Sequence, residues 1–228
     1  MIKICTMEKL MVADNLLGLG SYTPIMASRF TGASVSKTNR LLFGNQRYER
    51  VWEPEIAIDG EKILSFKDLM EIKAIQILSK CMSLQEIRKA RKILVHRLNT
   101  DYPFYSRKFY TDGKKFLLKE NCEDIFTNQY NNKNLIEQSL QNIEFGEDSE
   151  PTKWWIMGKN KGILLDPMRY FGQPIMAEFG ITTKALYERN VFSKNFRDTA
   201  NYFCIPDNVV EDACEFESRL LRQNASFN

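Results

Sequence analysis

Apolar positions recur at helical spacing in four stretches of the first hundred residues. Thr23-Pro24-Ile25-Met26-Ala27-Ser28-Arg29-Phe30 has a capping threonine and an early proline, and predicts a short helix. Thr31-Gly32-Ala33-Ser34 interrupts it. Val35-Ser36-Lys37-Thr38-Asn39-Arg40-Leu41-Leu42 predicts a second capped helix. Ser65-Phe66-Lys67-Asp68 and Ser83-Leu84-Gln85-Glu86 each set an acid three residues after a serine, the pattern of a capping box. From the first start, Leu69, Ile72, Ile75 or Gln76, and Leu78 keep helical spacing. From the second, Leu84, Ile87, Ala90, Leu94 and Leu98 form one stripe, which Asn99-Thr100-Asp101-Tyr102-Pro103 stops.

Extended segments are shorter. Trp52 and Ile63-Leu64, broken by Asp59-Gly60, predict a hairpin beside the second helix. A further hairpin is expected over Tyr105–Tyr110 and Lys115–Lys119, around Thr111-Asp112-Gly113. Ile163-Leu164-Leu165-Asp166-Pro167 reads as a buried strand and Gln173-Pro174-Ile175-Met176-Ala177 as its partner. Three helices should follow. The first starts at Thr182 or Thr183, the second covers 194–203 after Ser193, and the third covers 207–222 with Val209, Ala213, Phe216 and Leu220 on one face. The expected fold is mainly α with short β hairpins (α+β). It has an N-terminal winged helix-turn-helix and a small C-terminal three-helix domain with a short strand pair. The expected divisions are 1–119, an acidic connecting segment over 120–150, and 151–228, with the boundary near 145–152.

The order of small residue, glycine turn and second helix start is what two closely crossing helices need. Ser28 lies four residues before Gly32, and Gly32 can adopt positive φ without a Cβ penalty. The second helix of such a pair enters a DNA major groove. Charge changes this picture in the same direction. The chain's net +3 conceals 21 Lys/Arg against 12 Asp/Glu in residues 1–119, and one Lys against eight Asp/Glu in 120–150. Residues 151–228 are nearly balanced, with 10 Lys/Arg and 9 Asp/Glu. The basic stretch contains the helix-turn-helix, as a phosphate-binding surface requires. Ser36, Lys37, Asn39 and Arg40 occupy the exposed turns of the second helix and suit base-edge contacts. Arg47 and Arg50 are wing candidates for phosphate or minor-groove contact. Tyr22 and Thr23 stand at the first helix's N-terminus, where backbone N–H groups favour a phosphate. Trp52 is expected in the core. Arg88, Lys89, Arg91 and Lys92 are expected on a solvated helix face.

Enzyme chemistry finds little support. His96 stands alone, and the five cysteines (Cys5, Cys81, Cys122, Cys204, Cys214) are scattered without a CxxC pair. No metal ligand set, hydrolase triad, P-loop or dinucleotide-binding glycine motif appears, so no cofactor is expected. The start, Met1 to Thr6, is followed by charges at Glu8, Lys9 and Asp14 and lacks a signal-peptide pattern. No apolar run approaches the ~20 residues that span a bilayer. A cytoplasmic protein is expected. Trp154-Trp155 suits either a partner anchor or core packing, and Arg219 and Arg222 are further candidates for partner contact.

Two resemblances add to these readings. The run Tyr22-Thr23, Thr31-Gly32, Val35, Arg40, then Ser65-Phe66-Lys67-Asp68-Leu69 and Met82-Ser83-Leu84-Gln85-Glu86-Ile87-Arg88, resembles a MerR-type DNA-binding domain over residues 20–98. The chain departs from that family in lacking the long coiled coil after the last helix, which ends near Leu98. Residues Ile163–Pro167, Phe171–Ile175, Gly180–Thr183, Ile205-Pro206, Val209–Ala213 and Phe216-Glu217 resemble a small bacterial family of unknown biochemistry found beside PIN-like ribonuclease toxins. The combination resembles VapB-type antitoxins. It implies a protein that neutralises a VapC-like PIN-domain ribonuclease and represses its own operon, as a homodimer on operator DNA. A stand-alone transcription regulator, with a ligand-sensing or dimerising C-terminal domain, is the competing expectation.

Overall fold

The computed structural model describes Leu16, residues 18–44, 49–58, 60–80 and 82–106, Phe109, and residues 142–225. The chain divides into two compact units, Tyr22–Thr152 and Met1–Ser21 with Lys153–Asn228.

In the first unit, helix α1 (Pro24–Thr31) starts where Thr23 Oγ1 accepts the Met26 N–H at 3.2 Å. It ends at Gly32, which takes φ 73° and donates its N–H to Ser28 O at 2.9 Å. A Cβ at Gly32 would meet nothing within 4 Å, so the glycine answers to backbone conformation and not to space. Helix α2 (Val35–Leu42) begins three residues later, with Ser34 as its cap, and buries Thr38, Leu41 and Leu42. α1 packs against α2 and against α3 (Phe66–Leu78). α3 is buried almost all round, whereas α4 (Leu84–Leu98) buries only the Ile87, Ala90 and Leu94 face. Both capping boxes form, at Ser65/Asp68 and Ser83/Glu86. Asn99 closes α4 in the left-handed conformation, at φ 50°.

The expected hairpin between Trp52 and Leu64 does not form among the described residues. Leu64 instead exchanges backbone hydrogen bonds with Tyr22, at 2.9 and 2.8 Å, in an isolated antiparallel bridge. The backbone around Trp52 finds other partners: Val51 N–H donates to Leu41 O at 2.7 Å, and Glu55 N–H to Asp68 Oδ2 at 3.2 Å. A ladder needs those donors, and here they are already used. Tyr105 lies in a turn, and the remainder of the second expected hairpin lies outside the described residues, as does most of the acidic segment 120–150.

Strands β1 (Ile143–Phe145), β2 (Pro151–Trp155), β3 (Ile163–Leu165), β4 (Ile175–Met176) and β5 (Ile181–Thr182) follow in the order β1-β2-β3-β4-β5. The β2–β3, β3–β4 and β4–β5 pairs are antiparallel, with Trp154 opposite Leu165, Ile163 opposite Met176, and Ile175 opposite Thr182. The sheet is larger than the expected strand pair: β1 arises in the expected connecting segment, β2 at the start of the expected C-terminal domain, and β5 just before the first C-terminal helix. The turn between them is closed by Gly146 N–H donating to Glu150 O at 2.8 Å.

Helices α5 (Thr183–Ser193), α6 (Phe196–Phe203) and α7 (Asp207–Ala225) complete the second unit, each packed on the other two. Thr182 caps α5 and Asn195 caps α6. Two left-handed non-glycine residues, Lys194 and Cys204, turn the corners between the helices. Ala200, Val210 and Cys214 form their buried centre, with Tyr187 and Ile205 packed beside it. The architecture is therefore α+β. Among the described residues no helix is long and apolar enough to cross a membrane.

Candidate nucleic-acid interface

The α1–turn–α2 pair carries the residues expected to meet DNA, and the structure sorts them sharply. Tyr22 is 1% exposed, its ring edge-on to Phe30, and its N–H is engaged by Leu64. It is a core residue whose side chain and amide cannot reach a phosphate. Thr23 is exposed at the N-terminus of α1, with its hydroxyl capping Met26. Ser36 is exposed on the first turn of α2.

Lys37 points the other way. Its Nζ donates to Gln76 Oε1 and Ser79 Oγ, both at 2.8 Å, and Gln76 Nε2 donates to Gly32 O at 3.1 Å. Partial burial, reinforced by the nearby Arg40 charge, pushes the Lys37 ammonium below its ordinary pKa. Lys37 thus ties α2 to α3 instead of reading a base. Asn39 folds back on its own helix, donating Nδ2 to Val35 O at 3.1 Å. Arg40 is half-buried in the last turn of α2. Arg50 is exposed and paired with Glu53. Arg47 lies outside the described residues. The outward-facing members of the expected set are therefore Thr23, Ser36 and Arg50, with Arg40 at the margin.

A cleft of about 590 Å³ beside α2 is lined by Phe43, Gly44, Glu49, Arg50, Val51, Trp52 and Glu53. Lys62 reaches over the Phe43 ring, 5.4 Å from its centroid, and adds an exposed cation to this side. Sequence reasoning missed Lys62, since it lies twenty residues beyond the end of the helix it accompanies.

The segment from Glu49 to Glu55 hangs from α3 and α4 through polar side chains. Asp68 is the centre of this suspension. Its carboxylate accepts from Trp52 Nε1 at 2.7 Å, Glu55 N at 3.2 Å and Ser65 N at 3.0 Å. Burial nonetheless leaves its pKa raised, because desolvation outweighs these donors. Arg88 donates to Glu49 O at 2.6 Å. The Arg91 guanidinium sits 5.6 Å from the Trp52 ring centroid and 3.6 Å from Glu71 Oε1, and also donates to Asp101 O. Arg88 and Arg91 are thus structural ties and not members of a solvated face. Glu71 is wholly buried, accepts the Tyr105 N–H at 2.7 Å, and has its pKa pushed up to about 8 by that burial against the opposing pull of Arg91.

In the second unit the expected partner contacts also divide. Trp154 is buried in the sheet, which removes it as a surface anchor. Trp155 is half-buried, with Lys159 Nζ 5.8 Å from its ring centroid. Arg219 and Arg222 are exposed on α7, and Arg219 Nη1 lies 3.2 Å from Met157 Sδ. Among the described residues no three His, Cys, Asp or Glu side chains converge as a metal site needs.

No protein-family model matches this sequence, and no curated protein matches it. Among solved structures, the chain is similar to the X-ray crystal structure of Rv2018 from Mycobacterium tuberculosis. The TM-score is 0.69 at 20% identity, over 84% of this chain and 96% of that one. At that identity the likeness is one of fold.

Proposed function

We propose that this chain is a DNA-binding antitoxin. Its first unit binds operator DNA and represses its own operon, and its second unit neutralises a VapC-like PIN-domain ribonuclease. The observation that carries the DNA half is the α1–α2 crossing: a left-handed Gly32 turn, α2 fixed from behind by Lys37, and Ser36 exposed on the helix's first turn. A helix held rigidly on one side and open on the other is what groove reading requires. Operator recognition as a dimer would place two such helices one helical turn of DNA apart, about 34–36 Å.

The nuclease half is supported by the sequence resemblance to VapB-type antitoxins and by a separate second unit with a large exposed aromatic surface. The test of the DNA half is fluorescence anisotropy with duplex taken from upstream of the chain's own reading frame. The expected result is binding that prefers this duplex and weakens steeply from 50 to 200 mM salt, a range over which phosphate contacts typically cost orders of magnitude. Equal affinity for an unrelated duplex overturns the operator reading.

A further inference from the structure

The second unit exposes apolar side chains that a small domain normally buries. Phe192 is 79% exposed, Tyr202 65% and Val191 56%. Arg189 joins Phe192 and Tyr202 into one surface: its guanidinium lies 5.3 Å from the Phe192 ring centroid and 4.5 Å from that of Tyr202. Exposed apolar patches of this kind mark interaction sites.

The charge around the patch indicates what covers it. Residues 184–203, from α5 through α6, hold four Lys/Arg (Lys184, Arg189, Lys194, Arg197) and two Asp/Glu (Glu188, Asp198). Lys184 and Glu188 pair with each other at 3.7 Å. That leaves Arg189, Lys194 and Arg197 against Asp198. Lys194 and Arg197 are exposed and form no ion pair among the described residues. The α5–α6 segment therefore combines an exposed aromatic pair with an excess of exposed cations. A second copy of the chain fits poorly, since a two-fold contact would set these three cations against themselves. A nucleic-acid strand also fits poorly. Arg189 already lies over both rings, where a stacked base would have to sit.

We propose that the α5–α6 surface seats the partner ribonuclease, which meets it with an apolar centre and a rim of carboxylates. This rests on the antitoxin reading, but places the contact on Phe192 and Tyr202, with the exposed cations Lys194 and Arg197 of the same α5–α6 segment, and not on Trp154-Trp155.

The test is co-expression of the full chain with the product of the adjacent reading frame, followed by a Kd measurement on the purified proteins. Wild type is compared with Phe192→Ala and with Arg197→Glu, the second leaving the apolar patch intact. Far-UV circular dichroism and the thermal midpoint check that each variant is folded. The expected result is a complex weakened roughly tenfold or more by each change. Equal binding by wild type and both variants overturns the surface while leaving the antitoxin reading standing. No complex with wild type overturns the antitoxin reading, and this surface with it. A wild-type dimer that either variant dissociates, or a single-stranded RNA oligonucleotide that wild type binds and both variants lose, assigns the patch to another occupant and overturns the proposal.

Discussion

The carboxylate of Asp68 holds the indole of Trp52, with Nε1–H donated to Oδ1 at 2.7 Å inside the first unit. Because Asp68 also closes the capping box of α3 through Ser65, one side chain both starts a helix and suspends the segment beside α2. Asp68→Ala leaves a buried indole N–H and two backbone N–H groups without their acceptor. It is expected to destabilise the first unit by about 2–4 kcal/mol. Trp52→Phe removes only one donor and is expected to cost less. Urea unfolding of the two variants checks the order, and an Asp68→Ala protein as stable as wild type contradicts it.

Gly32 offers a cleaner test of cause. Its substitution meets no neighbour, so Gly32→Ala should cost only the left-handed backbone penalty, about 1–2 kcal/mol. A much larger loss of thermal stability would mean that the turn is sterically crowded after all.

Glu71 sets a pH dependence. Its pKa rises from the ordinary carboxylate range to about 8 on folding, so the folded state favours the neutral acid. The unfolded chain releases this proton near pH 4.5, the folded chain only near 8. Stability associated with the neutral acid is fully present below the lower value and is lost as pH rises through that window. Glu71→Gln, which stays neutral, should therefore flatten the fall in denaturation midpoint between those pH values. A wild-type midpoint that rises across the same window refutes the assignment.

Lys37 and Arg40 are three residues apart on α2 and should behave differently. Arg40→Ala is expected to weaken DNA binding and lower the salt slope by about one unit, as loss of one phosphate contact does. Lys37→Met removes the ties to Gln76 and Ser79, so it should lower the melting midpoint while the salt slope stays unchanged. Anisotropy titrations at several salt concentrations, beside thermal melts, separate the two roles.

Local signals were legible where one residue's chemistry decides the outcome. Thr23, Ser34, Ser65 and Ser83 mark helix starts through their own hydroxyls, and Gly32 marks the turn through its own φ. What escaped is the work of residues far apart in the chain. Leu64 satisfies its backbone on Tyr22, not on the neighbourhood of Trp52, and no alternation pattern encodes that choice. Lys37 looks like any exposed cation of a recognition helix until Gln76 and Ser79, about forty residues on, are seen to receive it. Arg88 and Arg91 lie off the apolar stripe, which suggested solvent. Their long stems instead carry the guanidinium groups to Glu49, Trp52 and Glu71. Strands β1 and β2 flank a stretch whose Glu147, Asp148 and Ser149 read as linker but form the turn of a hairpin.

The most direct measurement is RNA cleavage by the product of the adjacent reading frame, with and without this chain at equimolar concentration. The account predicts that the free partner cuts RNA and that the purified complex is inert. A partner that cuts equally well in the presence of this chain, or that does not cut at all, contradicts it.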